Sequence, residues 1–347
     1  MAPGPVPSRP ILINARAAAR PELGGVERWA RELSARLPAL DATRYRSVRP
    51  PRALAHRAGH AWEQAALPAL ATRAGAPLLL NPANLAPLAF GRNVVVVHDA
   101  AALREPGWYS RLYVAWQRTL LPALARRAVH LVTVSQFSRR ELIDLLGADP
   151  DRIAVIPGGV DERFRPGADA GPARAALGLD RPYVLTVASR TARKNLAALD
   201  ATGRQLEAEG IELVAAGGDR PQFRGEDARL RPLGHVPDEH LPGLYAGAAA
   251  FVLPSLYEGF GLPALEAMAS GVPVVTSDRG GLPEVVGDAG ALVDPADRAG
   301  IAAAVLRAVA RGEDVRREIA AGRERAAAMT WALTAERVDA LLRELAP

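Results

Sequence analysis

Short apolar runs alternate along this chain with longer segments whose apolar positions recur at helical spacing. In the first half the runs fall at residues 11–14, 77–81, 93–98, 131–135 and 153–157. In the second half they fall at 183–188, 212–216, 249–254, 273–277 and 291–294. Val94, Val95, Val96 and Val97 are apolar in succession, as a strand covered on both faces should be. Such strands interleaved with helices predict βα units and parallel sheets. Ser138-Arg139-Arg140-Glu141 reads as a capping box, with Phe137 and Leu142 placed as a hydrophobic staple. Glycine and proline interrupt the rhythm from Pro157-Gly158-Gly159-Val160 through Gly171-Pro172, which reads as a linker. The pattern divides the chain into residues 1–170, residues 171–330 and a terminal helix within 331–347, expected to pack back towards the first part. The halves share βα grammar but no sequence repeat.

A chain of 347 residues suits two such domains. No stretch approaches the ~18 uninterrupted apolar residues of a membrane span, and Met1 to Arg9 lacks the charged-then-apolar pattern of a signal peptide. With no cysteine, disulfide and thiolate chemistry are excluded, and a cytoplasmic location is expected. Charge is unevenly shared. Residues 1–172 carry 23 basic and 14 acidic side chains, net +9, whereas residues 173–347 carry 20 and 24, net −4. That asymmetry points to an anionic partner near the first half. The arginines are dispersed singly, without a nucleic-acid-binding motif, so anionic lipid at the inner face of the cell membrane fits better than nucleic acid. In Trp108 to Trp116 a helix would align Tyr109, Leu112, Tyr113 and Trp116 near Arg111 and Arg118. That stripe reads either as the core face of a helix or as a segment that leans on lipid.

The chemistry concentrates between Leu253 and Pro273. A buried strand ends at Pro254, a glycine-rich turn follows, and Pro263 occupies the first position of a helix ending at Gly271. The N-terminus of that helix suits an anion such as a diphosphate. Glu258 precedes the turn, and Glu266 is expected within the first helical turn. Gly259-Phe260-Gly261-Leu262-Pro263-Ala264 also imitates a dinucleotide-binding turn, with Asp278 ending the next strand. That turn, however, starts directly at a strand end and opens a domain. Here Ser255 to Glu258 intervene, and the segment lies late in its half.

The frame E-G-F-G-L-P-A-L-E from Glu258 to Glu266 resembles the E-x₇-E motif of the family 4 retaining glycosyltransferases. Further resemblances follow in order over almost the whole chain: Gly24-Gly25-Val26-Glu27-Arg28, Val97-His98-Asp99, Val134 to Glu141, Val155 to Asp161, Arg193-Lys194-Asn195, Gly280 to Glu284 and Thr330-Trp331. The resemblance is nearest to bacterial mannosyl- and rhamnosyltransferases of cell-surface polysaccharide or lipid-linked glycan synthesis. It implies a GT-B fold, α/β, with two facing Rossmann-like, doubly wound parallel-sheet domains and a cleft between them. The first domain would bind the acceptor and the second the nucleotide-sugar donor. Glu266 would take the ribose hydroxyls and Glu258 the transferred sugar near C3 and C4. The backbone at Gly259, Phe260, Gly261 and Leu262 would meet sugar or phosphate. Gly24 and Gly25 would close over the diphosphate, His98 would approach the anomeric centre, and Val236 would line the donor site.

Lys194 is the only lysine among 43 basic residues. An ammonium suits a phosphate as a point charge, whereas a guanidinium demands a planar fork. A pyridoxal Schiff base is the alternative for a lone lysine, with no other residue in its favour. Arg190 is the expected second phosphate cation, although the family usually carries glycine around Ala188-Ser189-Arg190. Asp149-Pro150-Asp151 spells a D-x-D metal clamp, but its position between a helix and a strand is an ordinary turn. No cofactor and no metal are therefore expected. The resemblance implies retaining, front-face transfer of a hexose, with mannose from GDP-mannose the first choice, to a glycan or lipid-linked acceptor. A sugar-nucleotide 2-epimerase and a non-catalytic nucleotide-sugar-binding homologue are the alternatives.

Overall fold

The computed structural model describes residues 9–20, 24–51, 59–218 and 230–346. Positions 1–8, on which the reading of the N-terminus rests, lie outside the described residues. Two six-stranded parallel sheets make up the fold. The first contains β1 (Ile11–Asn14), β2 (Tyr45–Val48), β3 (Leu79–Asn81), β4 (Asn93–Val96), β5 (His130–Thr133) and β6 (Ile153–Val155), in the order β2-β1-β3-β4-β5-β6. The second contains β7 (Tyr183–Val187), β8 (Glu212–Ala216), β9 (Arg231–Gly234), β10 (Ala250–Leu253), β11 (Val274–Ser277) and β12 (Ala291–Val293), in the order β12-β11-β10-β7-β8-β9. All ten apolar runs became strands. β2 and β9 were not legible as runs because each is an edge strand with exposed polar or proline positions, Arg46 in one and Arg231-Pro232 in the other.

Contacts separate the chain into two compact units. One comprises Met1–Ala100, Trp116–Gly158 and Trp331–Pro347, the other Ala101–Ala115 and Gly159–Thr330. The division thus falls at Gly158/Gly159 rather than near residue 170. The reason is local: Arg163 pairs with Asp238 at 2.6 Å, and the Phe164 ring meets Tyr245 edge-on at 5.6 Å. In the first unit Ile11, Leu12, Ile13 and Val94 to Val97 are fully buried, each contributing roughly 1.5–3 kcal/mol by leaving water. The helix Trp331–Leu345 belongs to this unit. Trp331 lies edge-on to Trp29 at 5.7 Å, Thr334 donates to the Pro157 carbonyl at 2.9 Å, and Tyr45 donates to Asp339 at 2.5 Å.

Two local expectations are corrected. The helix Gln136–Leu146 is capped by Ser135, whose Oγ accepts the Ser138 N–H at 3.0 Å; Ser138 lies inside the helix. A serine was already available at the end of β5, so the helix starts earlier than the capping box implied. Nor do Tyr109, Leu112, Tyr113 and Trp116 form one face. Tyr109 precedes the helix Arg111–Arg127 and is buried, while Leu112 is 83% and Trp116 36% exposed. The core face runs instead through Val114, Gln117, Leu121 and Leu124.

Candidate functional site

In the second sheet the chain runs outward from β7 through β8 to β9, then returns to β10 on the other side of β7. The carboxyl ends of β7 and β10 therefore flank a topological switch point, where doubly wound sheets bind ligands. The segment after β7 carries Arg190, Arg193 and Lys194; the segment after β10 carries Ser255, Glu258 and the glycine-rich turn. Backbone ties hold the two together. Leu256 N–H donates to the Arg193 carbonyl at 2.8 Å, and Asn195 Nδ2 donates to the carbonyls of Pro254 and Pro295 at 3.1 and 2.9 Å. Asn195 sits at φ 53°, a left-handed conformation that asparagine tolerates better than most residues.

Lys194 and Glu258 form a buried ion pair. Their side chains are each 8% exposed, and Lys194 Nζ donates to Glu258 Oε1. Ser255 Oγ donates to the same oxygen at 2.8 Å, and Arg193 Nη1 lies 4.0 Å from Oε2. Burial works against the charge on Glu258. The Lys194 ammonium and the Arg193 guanidinium, with hydrogen bonds from Lys194 and Ser255, outweigh it and hold the carboxyl below its ordinary range. Glu258 is thus a carboxylate at neutral pH, fixed in direction by Lys194 and Ser255.

The turn beyond Glu258 is shaped by glycine. Gly281 N–H donates to the Glu258 carbonyl at 2.8 Å. A Cβ at Gly280, φ +67°, would lie 2.3 Å from that same oxygen. The helix Leu262–Ala269 then begins with Pro263 in its first turn. Ala264 and Leu265 N–H donate to the Gly261 carbonyl. Among the described residues nothing accepts a hydrogen bond from the N–H groups of Phe260, Gly261 or Leu262. Three orphan donors at the positive end of a helix, beside a lysine and an arginine, make a site for a phosphate-like anion.

Glu266 sits in the second turn of that helix, not the first, because the helix starts at Leu262. Its Oε2 accepts a hydrogen bond from Tyr245 Oη at 2.8 Å, with both side chains buried. Arg190 is partly buried in the loop after β7. Val236 is buried in the loop after β9, two strands from β7 in the sheet. Gly24, Gly25 and His98 belong to the other unit. There Gly24 caps the helix Gly25–Leu40, and its N–H donates to Glu27 Oε2 at 3.2 Å. His98 follows β4 with Nε2 2.9 Å from the Pro82 carbonyl, so Nε2 carries the proton. Its ring lies edge-on to Trp29 of that same helix at 5.5 Å. Burial pushes the imidazole below its ordinary value, outweighing Pro82, Asp99 and Glu27, so the ring is neutral near pH 7.

Three residues of the second-unit site escaped the sequence reading. Arg193 stood in a quoted motif without a role, Ser255 carried only its spacing of three from Glu258, and Tyr245 gave no signal at all. The acidic pair after residue 148 serves locally: an Asp149 carboxylate oxygen accepts the Asp151 N–H at 3.0 Å. Among the described residues no group of three or more potential ligands could hold a metal ion.

Two family models match the chain, one in each half. Residues 43–164 match the model of "Glycosyltransferase Family 4", and residues 181–311 match "Glycosyl transferases group 1". The chain is 36% identical over 255 residues to the Escherichia coli O-antigen chain mannosyltransferase B, covering 67% of this chain and 64% of that one. The chain thus spans somewhat under two thirds of the length of the curated relatives it matches first. Sucrose-phosphate synthase from Thermosynechococcus elongatus superposes with a TM-score of 0.76 at 23% identity, over 97% of this chain and 99% of that one. Anabaena Alr3699/HepE, in complex with UDP and glucose, gives 0.72 at 18% identity over 96% and 99%. These two likenesses establish the fold.

Proposed function

The chain belongs to the family 4 glycosyltransferases, and from that membership we propose that it transfers a hexose, mannose first, from a nucleoside diphosphate sugar to a glycan or lipid-linked acceptor. The observation that carries the reading is the Lys194–Glu258 pair set beside the orphan N–H groups of Phe260, Gly261 and Leu262. The amides and the cations suit the leaving diphosphate, whose charge grows as the glycosidic bond breaks. Glu258 presents a carboxylate to sugar hydroxyls, and Glu266, braced by Tyr245, one to the ribose. His98, neutral and with Nε2 committed to Pro82, suits a contact with the sugar but not proton donation through that nitrogen. Gly24, Gly25, Arg190 and Val236 are retained as donor contacts on the strength of the family resemblance.

Transfer is proposed to retain configuration by front-face substitution, the leaving phosphate oxygen taking the acceptor's hydroxyl proton, and to need no metal. GDP-mannose is the first donor to try, because the E. coli relative is named as a mannosyltransferase. The exposed Leu112 and Trp116, with Arg111 and Arg118 on the same helix, support an association with anionic membrane. No helix among the described residues is long and apolar enough to cross one. The test is a thermal-shift panel of GDP-, UDP-, dTDP- and ADP-sugars, followed by NMR of the anomeric product with the stabilising donor, with and without EDTA. No stabilisation by any donor would overturn the transferase reading; an inverted product or loss in EDTA would overturn the mechanism.

A further inference from the structure

The first sheet has its own topological switch point. From β1 the chain goes to β2 on one side and returns to β3 on the other, so the carboxyl ends of β1 and β3 flank a crevice. Buried polar side chains line it. Asn14, at the end of β1, donates through Nδ2 to Glu63 Oε1 at 2.5 Å and to Asn81 Oδ1 at 3.1 Å. Asn81, at the end of β3, donates in turn to Asn93 Oδ1 at 3.0 Å. Glu63, on the helix Gly59–Arg73, is 1% exposed. Its Oε2 lies 3.3 Å from Arg16 Nε and 3.6 Å from His60 Nδ1.

Arg16 is the anomaly in this network. It is 5% exposed, and the only partner of its side chain among the described residues is Glu63, across a contact that misses hydrogen-bond geometry. Neither terminal nitrogen donates a hydrogen bond to a described residue. Of its five N–H donors only the one on Nε is both buried and unmet, a desolvation cost that native structures seldom accept without a reason, and the two terminal nitrogens stay open to an incoming group. Glu63 faces the Nε side, so the edge bearing both terminal nitrogens is left for another acceptor. That edge is a planar fork matched to two oxygens of one phosphoryl or carboxylate group. The surrounding chain is basic, with a net +9 over residues 1–172. His60, half-exposed, and Trp116, whose ring it meets edge-on at 5.4 Å, mark where the network reaches the surface.

We infer that Arg16 is a recognition residue for an oxyanion carried by the acceptor saccharide, bound at the carboxyl edge of the first sheet; the inference rests on the transferase reading for there being an acceptor. Glu63 is its positioning partner. An acceptor with a phosphate or carboxylate would be selected over its neutral counterpart, because only the anion meets both nitrogens of the fork with charge.

The experiment uses the full chain. A nucleoside diphosphate titration comes first and reads the transferase proposal by itself. With that nucleotide saturating, binding of mannose 6-phosphate, mannuronate, methyl mannoside and inorganic phosphate is followed by calorimetry, in wild type, Arg16→Lys and Arg16→Gln. The expected result is preference for the two anionic sugars, weakened roughly tenfold or more in both variants. The weak affinity for methyl mannoside and the nucleotide affinity should not change. Arg16→Lys keeps the charge opposite Glu63, so it reports on the fork even if Arg16→Gln fails to fold. Equal binding of anionic and neutral sugars, equal losses for both in Arg16→Lys, or inorganic phosphate binding as well as the sugar phosphate would each overturn the inference.

Discussion

Replacing Lys194 with methionine isolates the contribution of the buried pair, because the apolar chain fills nearly the same volume without the charge. Removing one member of such a pair typically costs about 3–5 kcal/mol, since the remaining charge is stranded away from water. Here Glu258 keeps Ser255 Oγ at 2.8 Å and Arg193 Nη1 at 4.0 Å, so the low end, about 3 kcal/mol, is expected at neutral pH. The loss should depend on pH. In the native protein the folded carboxyl titrates below its unfolded value. Its contribution is therefore complete above the unfolded value and disappears as pH falls through the folded one. Without Lys194 burial dominates, the folded value rises, and protonation in mild acid relieves the variant. The gap between the two proteins should thus be widest near pH 7–8 and shrink towards pH 5. Urea unfolding should be followed by far-UV circular dichroism. Four of the five tryptophans, Trp29, Trp62, Trp116 and Trp331, lie in the other unit and would report on the wrong transition. A loss below about 1 kcal/mol, or one that ignores pH, would refute a charged Glu258 held by Lys194.

Glu266→Ala should weaken binding of the free nucleoside diphosphate by roughly 1.5–3 kcal/mol in calorimetry, because a charged acceptor for the ribose is lost; unchanged affinity would remove Glu266 from the site. Tyr245→Phe should cost less, about 0.5–1.5 kcal/mol of the same affinity. A 2′,3′-dideoxy nucleotide should bind Tyr245→Phe and wild type alike, since it leaves nothing for Glu266 to grip. Gly280→Ala should destabilise the second unit by at least ~2 kcal/mol, read in the same urea titration, from left-handed strain joined to a Cβ 2.3 Å from the Glu258 carbonyl. Sedimentation with vesicles should show binding that rises with anionic lipid, falls with salt over a Debye length of ~10 Å, and weakens in Trp116→Ser.

Most of the architecture was legible because buried parallel strands leave continuous apolar runs, and a central strand cannot hide. Edge strands can: Tyr45–Val48 and Arg231–Gly234 each have one open side, so their side chains need not be apolar. The terminal helix showed its period, but its attachment depended on Trp29, Pro157 and Tyr45, far upstream in the chain. Spacing along a sequence reports which face a residue occupies. It does not report which distant residue meets that face.

The same limit explains the site. Glu258 and Glu266 were visible as a pair because one turn and one helix carry both. Lys194 stood out as a lone lysine and within the Arg193-Lys194-Asn195 run, and was assigned to phosphate. Its pairing with Glu258 spans 64 residues and exists because β7 and β10 are neighbours in the sheet. That adjacency also changes the chemical reading of both groups. On the proposed function Lys194 would meet a diphosphate while shared with a carboxylate, which tempers its charge, and Glu258 keeps its negative charge in a buried place because Lys194 is there. A lysine-to-arginine exchange should therefore disturb two contacts at once, the pair with Glu258 and the proposed one with phosphate. The glycines follow the same logic from the opposite direction. Gly280 lets the loop after β11 lie against the Glu258 carbonyl, and so fixes where the side chain of Glu258 begins.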